Sequence, residues 1–118
     1  MNSITQICLT CGGGVNGNCV CDKRRMAICL VDNERNRQTE LWGDVYYDSY
    51  SQAICTLGEE FGELCEAINE TLSSKPKRPE LAGIDNIIKE ATQVAAVAVK
   101  FIEQLIMEQS NKEDSEDV

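Results

Sequence analysis

The chain has 118 residues, 42% of them apolar, with 7 cysteines and no histidine. Its 20 acidic and 11 basic side chains leave a net charge of −9, which argues against non-specific nucleic-acid binding, a function that draws on clustered Lys and Arg. The lack of histidine removes histidine triads, histidine general bases and histidine metal ligands, and the longest apolar run, 94–99, is far too short to cross a bilayer.

Residues 1–25 read as a separate Cys-rich extension. Cys8, Cys11, Cys19 and Cys21 follow the pattern Cys-x2-Cys-x7-Cys-x-Cys. Four thiolates so spaced can close a tetrahedral Zn²⁺ site, and Gly12, Gly13 and Gly14 leave room for a tight knuckle. The alternative is a flexible leader with reduced thiols. No basic stretch followed by an apolar one marks a secretory signal, so a cytoplasmic, reducing setting is expected. There Cys29, Cys55 and Cys65 are expected to be small core residues.

The helical domain is expected over 26–110. A first helix is predicted from about Met26 to Leu41, with Ile28, Leu30, Val31 and Leu41 as its apolar contributors and Gly43 ending it. Residues 44–50 connect it to a second helix, which Ser51 is placed to cap and which runs to about Leu72. Ile54, Leu57, Phe61, Leu64, Ile68 and Leu72 keep a helical rhythm along it. A loop with two prolines, 73–79, precedes a third helix that starts at Glu80 or Ile84 and ends at Gln109. Residues 111–118, with four acids and one lysine, are expected to form a disordered acidic tail. Fold class is therefore all-α. The run 94–99 is apolar nearly all round and needs more cover than two partner helices give, which predicts a homodimer or higher homo-oligomer that completes the bundle.

Two pairs of oxygen-bearing side chains carry the chemistry. Glu60 and Glu63 are three residues apart in the second helix, Glu90 and Gln93 in the third, so each pair shares a helix face. Glu60 flanks the apolar positions Leu57 and Leu64, and Glu90 abuts Ile87 and Val94. The plain alternative for Glu59, Glu60, Glu63 and Glu66 is a solvated face. Carboxylates beside an apolar stripe are costly to bury unpaired, however, and hard oxygen donors converging from two helices suit Mg²⁺ or Mn²⁺.

The segments Asn33-Glu34-Arg35-Asn36-Arg37-Gln38 with Leu41-Trp42-Gly43, then Gly58-Glu59-Glu60-Phe61-Gly62-Glu63-Leu64, then Glu90-Ala91-Thr92-Gln93-Val94 together resemble the MazG-like nucleotide pyrophosphohydrolases of the all-α NTP pyrophosphohydrolase superfamily. The resemblance spans roughly 33–105. It implies a MazG-like helical bundle and Mg²⁺-dependent hydrolysis of a nucleoside triphosphate to monophosphate and pyrophosphate. It implies Glu60, Glu63, Glu90 and Gln93 as metal ligands, with Glu59 or Glu63 orienting the attacking water. Arg35, Arg37 and Arg78 are the candidates to meet phosphate, and Trp42 to stack on a base. Where the family pattern carries Asp this chain has Gln93, which can ligate but brings no charge. The competing expectation is a catalytically weakened module that binds a nucleotide or a partner.

Overall fold

The computed structural model describes residues 20–116. Helix α1 spans Val20–Trp42, α2 spans Tyr50–Leu72, and α3 spans Ile84–Glu116, with one 3₁₀ turn at Pro79–Leu81. Among the described residues the fold is all-α, and no helix is long and apolar enough to cross a membrane. Helices α1 and α2 each pack on α3 and scarcely on each other.

Two helix boundaries depart from expectation for one reason, the absence of a breaker. After Gly17 the next glycine or proline is Gly43, and α1 begins at Val20 with Asp22 in its first turn, where the helix dipole favours an acid. Residues 20–25 are thus part of α1 and not of a separate unit. Cys21 lies in the first turn, while Cys8, Cys11 and Cys19 of the suggested zinc knuckle lie outside the described residues. At the other end no glycine or proline follows Gly83, and α3 runs on to Glu116 where a disordered tail was expected from 111.

Gly43 ends α1 as predicted. Its φ of 77° is left-handed, a conformation glycine adopts without penalty, and its N–H donates to Thr39 O at 2.8 Å. Helix α2 is capped by Ser49 and not Ser51. Ser49 is extended, and its hydroxyl accepts from Gln52 N, while the Gln52 side chain accepts from Asp48 N at 2.6 Å. The second bond reaches one residue before the cap, so Ser49 and Gln52 brace the entry to α2 between them. Gly83, φ 113°, leads into α3 and donates to Thr71 Oγ1 at 2.9 Å, tying the ends of α2 and α3 together.

The connection between α1 and α2 is pinned to α3. Gln104, buried on α3, accepts from Tyr47 N and donates to Tyr47 O, both at 3.0 Å. The Tyr47 and Tyr50 rings stand edge-on to Phe101, 6.3 and 5.5 Å between centroids. Tyr50 donates to Glu108 at 2.6 Å and Tyr46 to Glu103 at 3.4 Å.

The core is small. Among the described residues its buried apolar members are Ala53, Ala67, Ala96 and Val97, and no large side chain is fully buried. Several expected core residues are exposed in the single chain: Ile28, Leu30 and Leu41 of α1, and Ile54, Phe61, Ile68 and Leu72 of α2. Cys29 and Cys55 are exposed as well and Cys65 half-buried. The reason is geometric. One side of α2 and much of α1 meet no third layer, because the two helices flank α3 and do not cover each other.

Replacing Gln104 with leucine, close to it in size, leaves the Tyr47 N–H and C=O without their partner. Leaving buried polar groups unmet costs roughly 1–3 kcal/mol. Gln104→Leu is expected to lose that much in urea unfolding and to speed hydrogen exchange at the Tyr47 amide. An unchanged midpoint with unchanged exchange would show that the clamp contributes nothing.

Candidate metal centre

Packing of α2 on α3 decides the site. Ala53 and Ala67 lie seven residues before and after Glu60, on the same face of α2, and small side chains let two helices approach closely. Glu60 and Glu63 are thereby brought against Glu90. One carboxylate oxygen from each lies within 4.8 Å of the other two. Ligands on opposite sides of Mg²⁺ at 2.0–2.1 Å would be about 4.1 Å apart, so small rotamer shifts close the set. The donors are all hard oxygens, as Mg²⁺ and Mn²⁺ prefer. Glu90 Oε2 is shut off from solvent and has no hydrogen-bond partner. A buried carboxylate oxygen left orphaned is uncommon, and a cation between the three glutamates would satisfy it. The residues present therefore fit a divalent ion.

Burial pushes the Glu60 carboxyl above its usual range, with the Glu63 and Glu90 charges adding to the effect. Burial raises Glu90 in the same way, followed by the charge of Glu63, while Lys89 offsets part of it. Glu59 is exposed and stands outside the triad, although its charge also raises Glu60.

Gln93 is one turn on from Glu90 and half-buried. It lines one hollow with Glu60 and another with Glu34 and Arg37. Glu34 is a buried carboxylate on α1. Arg37 grips it with two bonds of 2.8 and 2.7 Å, and Gln38 adds a third at 3.1 Å. Arg37 above all, then Gln38 and more weakly the Gln93 amide, hold Glu34 below the ordinary carboxylate range. An aspartate at 93 would face that ionised group, which gives a physical reason for an amide here that the metal alone does not supply.

The cations divide into separate jobs. Arg35, its side chain 11% exposed, is spent on Glu103 at 2.8 and 3.1 Å and on Gln38 at 2.9 Å. It joins α1 to α3 and is not free to meet a phosphate. Arg37 is paired with Glu34, and its guanidinium carbon stands 5.9 Å from the centre of the Trp42 ring. Arg78 bonds Glu66 at 2.6 Å and shares a hollow of about 380 Å³ with Glu63 and Glu90. On the other side of the triad a hollow of about 220 Å³ is lined by Glu60, Gln93, Arg37, Trp42, Tyr47 and Lys100, among others. Thus Arg78 stands on one flank of the glutamates, and Arg37 and Trp42 on the other. Sequence reasoning missed Lys100, Tyr47 and Gln104. The available signal was that Lys100 and Gln104 interrupt the apolar register that follows 94–99.

No protein-family model matches the chain, and neither a curated protein nor a solved structure matches it.

The raised carboxyls set a pH dependence. A group that holds its proton more tightly when folded favours the fold at acid pH. That contribution fades as pH climbs from the unfolded value, about 4.3 for Glu, through the raised folded one. Glu34 and Glu103, lowered by their arginines, act in the opposite sense, so the test compares variants. In chelator, Glu90→Gln is expected to melt several degrees above the parent at neutral pH and to converge with it towards pH 4. Equal melting at neutral pH would mean that the triad carries no mutual repulsion.

Proposed function

We propose that the chain is a divalent-metal-dependent nucleoside triphosphate pyrophosphohydrolase with a MazG-like bundle, releasing a nucleoside monophosphate and pyrophosphate. The observation that carries this reading is the orphaned Glu90 oxygen inside a triad of glutamates from two helices. Glu60, Glu63 and Glu90 would hold Mg²⁺ or Mn²⁺, with the Gln93 amide beside them. Such an ion would supply positive charge to the triphosphate and make water at the site more acidic. Glu59 or Glu63 orients the attacking water and accepts its proton. The water oxygen bonds to the α-phosphorus as that phosphorus parts from the oxygen bridging it to the β-phosphate, and the bridging oxygen leaves with pyrophosphate. Arg78 is placed to neutralise phosphate charge from the Glu63 side, while Arg37 and Trp42 face the ligand from the Glu60 side. The second reading, a nucleotide- or partner-binding module without turnover, draws on Gln93. One ligand charge fewer and an amide drawn towards Glu34 both weaken the hold on a metal.

With Mg²⁺ or Mn²⁺ the protein is expected to release pyrophosphate from at least one member of a panel of ribo- and deoxyribonucleoside triphosphates. Glu60→Gln and Glu63→Gln should each lower the rate at least a hundredfold, with the helical circular dichroism unchanged. Metal-independent release, or full activity in both variants, would remove the triad from the reaction. Tight nucleotide binding with no release would favour the binding module.

The same proposal includes assembly. Ile54, Gly58, Phe61, Cys65, Ile68 and Leu72 follow one another along α2 at alternating steps of four and three residues, the spacing of a coiled-coil seam. Ile54, Phe61 and Leu72 are 65, 56 and 80% exposed, and a Cβ added at Gly58 would meet nothing within 4 Å. Burying one large aliphatic or aromatic side chain contributes about 1.5–3 kcal/mol, and the single chain buries almost none. A second copy of this chain, seated on that seam, supplies the missing layer. Light scattering at micromolar concentration is expected to give at least twice the 13.1 kDa chain mass, and Phe61→Glu to shift it towards one. A stable monomer of the parent protein would refute the seam.

A further inference from the structure

We propose that Lys100 is a specificity-determining residue that selects nucleotides whose base carries a keto oxygen at its distal edge, as in uracil, thymine and guanine, over the amino-bearing cytosine and adenine. The proposal deepens the nucleotide reading above and rests on it.

Glu90, Gln93, Val97 and Lys100 follow at i, i+3, i+7 and i+10 along α3, so they share one face. Ten residues of helix advance about 15 Å. The backbone positions of Glu90 and Lys100 are thus well separated, while Glu60 and Lys100 both line one hollow, so a ligand whose phosphoryl group is held on the Glu90 side can set its other end at Lys100. The hollow that begins at Glu60 and Gln93 extends to Lys100, with Trp42 and Tyr47 among its walls. Its volume of about 220 Å³ is below the 300–1,000 Å³ usual for drug-sized ligands. It suits one small ring system and favours a pyrimidine over a purine.

Lys100 is the unsatisfied group in that hollow. Among the described residues it makes neither an ion pair nor a hydrogen bond. Its Nζ lies over the Tyr47 ring, 4.6 Å from the centroid. Gln104 holds the Tyr47 backbone through its N–H and C=O, and Phe101 meets the Tyr47 ring edge-on. The residue is half-buried. Burial and the nearby Arg35 both work against its charge, and only Glu103 favours it. An ammonium so placed has donors to give and, among the described residues, no acceptor that receives them. A lysine has no acceptor of its own, so it attracts O4 of uracil or thymine and O6 of guanine. It is mismatched to the amino groups of cytosine and adenine.

Trp42, the only tryptophan in the chain, lines the hollow and reports on its occupancy. Full-length protein with Mg²⁺ is titrated with UMP, dTMP, GMP, CMP and AMP, following Trp42 emission. Monophosphates are the proposed products and are not consumed. UMP and dTMP are expected to bind best, with GMP weaker but still roughly tenfold above CMP and AMP, the discrimination that one such contact gives. Lys100→Met should bring the keto bases down to CMP and AMP without weakening those two. Lys100→Glu should favour CMP and AMP, because a carboxylate accepts from an amino group. If Lys100→Met instead weakens all five monophosphates and inorganic phosphate alike, Lys100 holds phosphate and the proposal is wrong. It is equally wrong if the ranking survives the substitution, or if the only change is in oligomer mass by light scattering. Binding with a flat ranking in the parent protein defeats the Lys100 proposal alone. No binding and no pyrophosphate release together defeat the nucleotide reading itself.

Discussion

Close packing of α2 against α3 through alanines is the constraint on which the rest of the structure depends. Ala53, Ala67 and Ala96 with Val97 make up the buried apolar core. Their small size is what lets two helices of opposite direction carry their glutamates into one cluster. Larger residues there would bury more apolar area and hold the carboxylates apart. The molecule thus keeps its helices close at the site and leaves the stabilisation that larger side chains would bring to surfaces that a single chain does not cover.

Charge is distributed with a clear division. Arg35 neutralises Glu103 and fastens α1 to α3, Arg37 neutralises Glu34 within α1, and Arg78 is tied to Glu66 at the edge of the acidic cluster. Among the described residues the triad has no such partner. Burial and neighbouring carboxylate charge push Glu60 and Glu90 up, while Glu34 and Glu103 beside the arginines are held down. Groups whose environments drive them apart in this way mark functional sites more often than structural ones. Gln93 sits on the border between the two systems and is uncharged, so it sets neither against the other.

The glutamate triad was legible in the sequence because it depends on local spacing. Glu60 with Glu63, and Glu90 one helix later beside an apolar stripe, need only helical periodicity and antiparallel neighbours to converge. Gly43 as the end of α1 and the proline loop before α3 were legible for the same reason. The Arg35–Glu103 pair spans 68 positions, and nothing local selects that glutamate from its neighbours. Ser49 displaced Ser51 as the cap because Gln52 sits three residues after it. The exposed stripe of α2 was misjudged for a deeper reason: periodicity says which face is apolar and not whether the same chain covers it.

The short connection 73–83 has a consequence for how the chain reaches its fold. Glu60 and Glu90 lie 30 positions apart (90 − 60), whereas the ties between the α1 side and α3 span 57 to 68. Closing the smaller loop loses less entropy, and local pairings form faster. The hairpin of α2 and α3 is therefore the first unit that chain closure favours, and it already contains all three glutamates. On that order the acidic cluster forms before Arg35 docks on Glu103, so folding brings like charges together ahead of the ties to α1. Whatever relieves the repulsion among those carboxylates therefore acts on the hairpin, before α1 is in place.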